Sequence, residues 1–94
     1  MAIAVQLDFK GGTLAQYDQV INKMGFSAGG TGGPGGLFHW VTKTTDGVRV
    51  TDVWKSKEAF EKFSKEQIGP FTKEAGMPPP AIQVFEVHNY LTGG

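Results

Sequence analysis

The chain has 94 residues, nine basic and nine acidic side chains and no cysteine. This length fits one domain spanning residues 1–94, with a core small enough to gain from association with a second copy. Without cysteine there is no disulfide frame and no thiolate metal site, and a neutral chain with no Lys/Arg cluster lacks the footprint of a nucleic-acid binder. The opening MAIAVQLDFK carries no basic leader, and no apolar run approaches the ~20 residues that span a bilayer. A membrane is therefore not an expected partner, and a cytoplasmic location is the default expectation.

Residues 2–9, AIAVQLDF, alternate so that Ile3, Val5, Leu7 and Phe9 share one side, the pattern of a half-buried strand. Gly11-Gly12 ends it, and Thr13 is a helix N-cap for a segment running to about Met24. Leu14, Tyr17, Val20 or Ile21, and Met24 form its apolar stripe, and Gly25 is its stop. Residues 25–36, GFSAGGTGGPGG, hold half of the 14 glycines. A phosphate-cradling loop must open a helix, whereas this segment leads into the strand-like LFHWVTKT, so it is expected to be a linker or mobile lid.

The runs 37–44 and 48–54 flank TTDG, a hairpin signal. Ser56 caps a second helix whose buried side carries Ala59, Phe60 and Phe63. Gly69-Pro70 is expected to interrupt it before a further turn in PFTKEAG. After the Pro78-Pro79-Pro80 connector, IQVFEVHNYL is the last strand and 92–94 a loose tail. The order β-α-β-β-α-β is the ferredoxin-like split βαβ pattern: an α+β fold with a four-stranded antiparallel sheet and both helices on one face. Phe38, Trp40, Val53, Phe85 and Val87 would then lie on the other face. An apolar patch of that size calls for a partner, and two such sheets face to face make a homodimer.

The segment RVTDVWKSKEAFEKF, residues 49–63, resembles the strand-to-helix signature of the dimeric α+β barrel superfamily, which includes the antibiotic-biosynthesis monooxygenases (ABM) and the heme-degrading monooxygenases. FHW, IGPFTKEAG and VFEVHNYL fit small members of the same group. The resemblance implies a dimeric barrel. Trp54 matches a pocket-facing Trp of the heme-degrading branch, whose iron ligand is a His on the following helical segment. Residues 56–76 hold no His, which leaves heme binding a third-placed reading. The anthrone-type oxygenases of the superfamily use neither metal nor flavin, and on that likeness no cofactor is expected.

His39 and Asp52 are the candidate catalytic pair, with Trp54, Tyr17, Phe60 and His88 as candidate substrate-binding residues. No His-x-x-His or Glu-x-x-His spacing is present, so no metal site is expected. Where His39 points depends on the turn. A two-residue Asp46-Gly47 turn pairs His39 with Trp54 and Val41 with Asp52, and sets His39, Asp52 and Trp54 on one face. A three-residue Thr45-Asp46-Gly47 loop pairs Trp40 with Asp52 and turns His39 to the other face. The first leaves Phe38 and Trp40 on the dimer face and is favoured for that reason. An imidazole oriented by a carboxylate could take a proton from a hydrophobic or aromatic small molecule that an indole stacks upon. The resulting expectation is a cofactor-independent monooxygenase-like enzyme. The alternative is a non-catalytic ligand-binding or interaction dimer in which the same His and Asp are structural.

Overall fold

The structure, a computed structural model, describes residues 1–93; Gly94, the last residue of the expected tail, lies outside the described residues. Four strands, β1 (Ile3–Lys10), β2 (Gly36–Lys43), β3 (Gly47–Trp54) and β4 (Ala81–Glu86), form an antiparallel sheet in the order β2-β3-β1-β4. Helix α1 (Leu14–Met24) joins β1 to β2, and α2 (Lys57–Phe63) with α3 (Gly69–Glu74) joins β3 to β4. This is the expected ferredoxin-like α+β arrangement. Among the described residues, no helix is long and apolar enough to cross a membrane.

The alternation in β1 is realised. Ile3, Val5, Leu7 and Phe9 are buried and meet Val48, Val50 and Trp54 of β3 on the helix-covered face, under Val20 of α1, Phe60 of α2 and Met77. Fully burying one such aliphatic side chain is worth about 1.5–3 kcal/mol, so this layer is the main stabilising element. Thr13 and Gln16 close a reciprocal capping box on α1, with Gln16 N–H donating to Thr13 Oγ1 at 3.1 Å and Thr13 N–H to Gln16 Oε1 at 3.0 Å. At the other end Gly25 turns left-handed at φ 83°, and the Gly25 and Phe26 amides close on the Asn22 and Ile21 carbonyls.

Three expectations are corrected. The second helix is not broken at Gly69-Pro70. A π-helical stretch, Ser64–Ile68, carries the chain from α2 into α3, and the Gly69 N–H bonds back five residues to the Ser64 carbonyl. The wider turn brings Pro70, which has no N–H to offer, to the start of the next α-helical segment, where none is needed. Strand β4 ends at Glu86, not Leu91; only the Val87 N–H, bonded to the Ala2 carbonyl at 3.0 Å, extends the pairing.

The third correction is the hairpin register. Neither expected pairing occurs: His39 is opposite Asp52, Val41 opposite Val50 and Lys43 opposite Val48. The turn residues are Thr45 and Asp46, with the Thr44 N–H donating to the Gly47 carbonyl at 2.9 Å. Gly47 is not a turn residue because β1 needs it. A Cβ at Gly47 would stand 2.1 Å from the Phe9 carbonyl oxygen. The shift from the favoured pairing is two residues, an even number, so His39, Asp52 and Trp54 still share the helix-side face.

The glycine-rich segment is anchored at its C-terminal end. A Cβ at Gly33 would stand 2.6 Å from the Phe63 ring, and one at Gly35 would stand 2.9 Å from the Ala59 methyl carbon. Gly32 has open space around it. Gly33→Ala should therefore cost about 1 kcal/mol, the low end of overpacking, because the Phe63 ring and the segment can give way, while Gly32→Ala should stay within about 0.5 kcal/mol of the parent. Urea unfolding of the two variants checks the contrast; equal midpoints would show that the segment does not pack on Phe63.

Candidate active site

The even register puts an imidazole beside a carboxylate. His39 and Asp52 are directly opposed on β2 and β3, and His39 Nδ1 is 2.5 Å from Asp52 Oδ1. The other carboxylate oxygen accepts a hydrogen bond from the Trp54 indole N–H at 3.1 Å. On the far side of the imidazole, Nε2 is 2.5 Å from the hydroxyl oxygen of Tyr17, which α1 lays over β2 with its ring nearly parallel to the imidazole. The four side chains form one hydrogen-bonded series: Trp54, Asp52, His39, Tyr17.

Burial grades along the series. The Asp52 side chain is 5% exposed and that of His39 is 40% exposed. A buried carboxylate is costly unless its oxygens are bonded; here the indole holds one and the imidazole the other. With Nδ1 donating its proton to Asp52, Nε2 is left as an acceptor for the Tyr17 hydroxyl. The Tyr17 phenol is pushed up to about 12, first by burial and then by the Asp52 and Asp18 charges. It therefore stays protonated at neutral pH and serves as a donor to the imidazole.

The sequence candidates for substrate binding other than Tyr17 line no open pocket beside this series. Trp54 is 3% exposed and packed between Phe60 and Phe63, with ring centroids 5.9 and 5.1 Å away. Its expected part as a stacking surface has no open ring face here, and its visible work is to hold Asp52. Phe60 is a buried core residue. His88 lies beyond the end of β4, exposed, at the sheet edge opposite to β2, and joins no cluster with the others. Arg49 pairs with Asp8 on the other face of the sheet, at 2.7 Å. Two surface depressions, one of about 590 Å³ along Phe60–Glu66 and one of about 360 Å³ between α1 and α3, touch none of His39, Asp52 or Trp54. Sequence reasoning missed the bond from Tyr17 to His39. Its signal was present, since Tyr17 sits on the apolar stripe of α1 yet carries a hydroxyl that has to be satisfied. Phe26, stacked on Phe63 with centroids 6.2 Å apart, was also missed.

No protein-family profile matches the chain, and no curated protein matches it with significance. Solved structures do. SnoaB, a cofactor-independent oxygenase from Streptomyces nogalater, aligns over 98% of this chain and 97% of its own, at 18% identity and TM-score 0.61. A monooxygenase from the gene ActVA-Orf6 of Streptomyces coelicolor, solved with the ligand nanaomycin D, aligns over 99% and 92%, at 21% identity and TM-score 0.56. A proposed antibiotic biosynthesis monooxygenase from Deinococcus radiodurans aligns over 100% and 99%, at 13% identity and TM-score 0.59. The chain has the fold of the ABM-like structures, as the resemblance in residues 49–63 implied.

The burial of Tyr17 has a consequence for stability. Its folded-state value lies above the ordinary 10, so the unfolded chain loses this proton first as pH rises. The stabilisation is complete below pH 10 and is lost as pH climbs toward 12. Tyr17→Phe removes the group, so urea midpoints of the variant should fall less steeply over that range than those of the parent. Parallel curves would rule out Tyr17 as a buried phenol.

Proposed function

We propose that this protein is a homodimeric, cofactor-independent monooxygenase-like enzyme acting on a hydrophobic, aromatic phenol or a related carbon acid. The observation that carries this reading is the pair of 2.5 Å contacts on the two ring nitrogens of His39, to Asp52 on one side and Tyr17 on the other. An imidazole fixed in one tautomer by a buried carboxylate, with its other nitrogen accepting from a hydroxyl and its side chain 40% exposed, is arranged as a general base. In this scheme the Tyr17 hydroxyl passes its proton to Nε2 as its oxygen takes one from the substrate. The imidazolium so formed is stabilised by Asp52. The substrate anion then gives one electron to dioxygen, the radical pair forms a C–O bond, and the peroxide takes back the proton from His39 through Tyr17. Loss of water leaves a carbonyl. The oxidant is dioxygen, and the electrons come from the substrate.

The dimer part of the proposal rests on the uncovered sheet face. Phe38, Trp40 and Phe85 are 48%, 45% and 58% exposed and share that face with Val53 and the Asp8–Arg49 pair. A second copy packed sheet to sheet would cover them. A second reading also has a specific observation behind it. Trp54, Phe60 and Phe63 are in ring contact where a substrate pocket would be sought, as a non-catalytic interaction dimer would have them.

Oxygen uptake with a panel of anthrones, naphthols and hydroquinones separates the two. The enzyme reading expects turnover by the parent, a fall in kcat of about 10²–10⁴-fold in His39→Ala, and a smaller fall in Tyr17→Phe. Undiminished turnover in His39→Ala would end the assignment of the base, and no turnover of any substrate by the parent would leave the interaction dimer. Sedimentation should show a dimer that Trp40→Glu with Phe85→Glu converts to monomer.

A further inference from the structure

The ring contact that fills the space beside Trp54 is held by weak restraints. Phe63 is half-buried and is the last residue of α2, where the regular helix gives way to the π-helical stretch. Its ring meets Trp54 of the core as well as Phe26 and Gly33 at the glycine-rich segment. The outer cover is thus the segment between Phe26 and Gly35. Among the described residues, 27–34 makes two hydrogen bonds, both local turns: the Gly30 amide closes on the Ser27 carbonyl and the Gly36 amide on the Gly33 carbonyl, and neither reaches α1, α2 or β3. The segment is fastened at its two ends. The Phe26 N–H bonds the Ile21 carbonyl behind the left-handed Gly25, and the Lys55 N–H bonds the Gly35 carbonyl. Between those ends the contact with the body of the protein is van der Waals packing on one ring.

Such a segment opens locally at a small fraction of the global unfolding free energy, and its glycines can take the dihedral changes that opening needs. Opening it exposes Phe63. Turning Phe63 out exposes the face of Trp54, whose N–H is bonded to the carboxylate that holds His39. We propose that Phe63 is the gate of the site: residues 27–34 lift, the Phe63 ring turns out, and a flat fused-ring phenol takes its place against Trp54. This deepens the reading given under Proposed function and rests on it for the ligand class. It removes the conflict between an ordered His39–Asp52 pair and a filled core, because the closed form is the resting state. The gate selects for thickness and flatness. The seat vacated takes one ring of the fused system, bounded by the indole on one side and by a segment that must close over the rest of the ligand on the other.

The probe is 1-naphthol, titrated by calorimetry and stopped-flow fluorescence in a Trp40→Phe background, which leaves Trp54 as the emitter. Phe63→Ala removes the ring that must be displaced and should raise the association rate and affinity about tenfold, because the binding-competent fraction rises. Phe63→Trp should lower both. Should Phe63→Ala fail to fold, NMR titration of the parent decides: the Gly33 amide and the Phe63 ring must shift together and saturably with 1-naphthol. Rates and affinities indifferent to residue 63, or shifts confined to other residues, would overturn the gate. Binding through Phe63 without turnover of the substrate panel would sink the catalytic reading and keep the gate. Turnover that depends on His39 but not on Phe63 would do the reverse.

Discussion

The buried carboxylate of Asp52 is the constraint on which the rest of the site depends. An anion under a sheet-covering helix layer is tolerated only when its oxygens are bonded, and both partners are supplied locally. Trp54 lies two residues along the same strand, and so on the same face. His39 lies directly across on β2. Shifting the β2–β3 pairing by one residue would turn His39 to the other face and strip the carboxylate of one partner. The polar series therefore works against register slippage in a hairpin whose turn residues do not define the pairing by themselves. No buried side-chain nitrogen or oxygen among the described residues is left without a partner, so the series is closed at its buried end. It opens to solvent only at the His39–Tyr17 end.

Much of the fold was legible because each element satisfies one period. The β1 alternation, the α1 stripe with Thr13 and Gly25 at its ends, and Ser56 ahead of α2 are local signals that the tertiary structure reinforces. The failures share a cause: a residue whose local preference was overruled by a distant contact. Gly47 reads locally as a turn residue, yet the absence of its Cβ serves the Phe9 carbonyl of a strand more than 35 residues away in sequence. Pro70 reads locally as a helix breaker, yet the π-helical stretch before it absorbs the missing donor. The alternation in IQVFEVHNYL suggested a ten-residue strand, but β1 offers pairing partners only back to Ile3, plus the Ala2 carbonyl, and β4 stops when they run out.

The candidate site was legible in composition and not in connectivity. Which residues carry chemistry followed from their type: two histidines in a 94-residue chain, one of them near a strand carboxylate. That Tyr17 closes on His39 depends on how α1 crosses the sheet, which no periodicity encodes. The separation of the two histidines is likewise topological. The order β2-β3-β1-β4 sets β2, which holds His39, and β4, which His88 follows, at opposite edges, so the two histidines are remote from each other.

The likeness to solved oxygenases reaches 13–21% identity, a level at which the backbone is shared and the side chains are free to differ. The chemistry must therefore be argued from this chain's own series, and the direction of burial along it is informative. A purely structural His–Asp pair gains most from being enclosed at both ends, because low dielectric strengthens every bond in it. Here the carboxylate is enclosed, and the imidazole, at 40% side-chain exposure, is not. The Tyr17 hydroxyl, whose proton is held more tightly than a free phenol's, sits at that exposed end. A half-open imidazole held at one nitrogen and capped at the other by a hydroxyl is a costlier way to staple β2 to β3 than two aliphatic side chains would be. The expense is intelligible where the exposed His39–Tyr17 end meets something that arrives from outside.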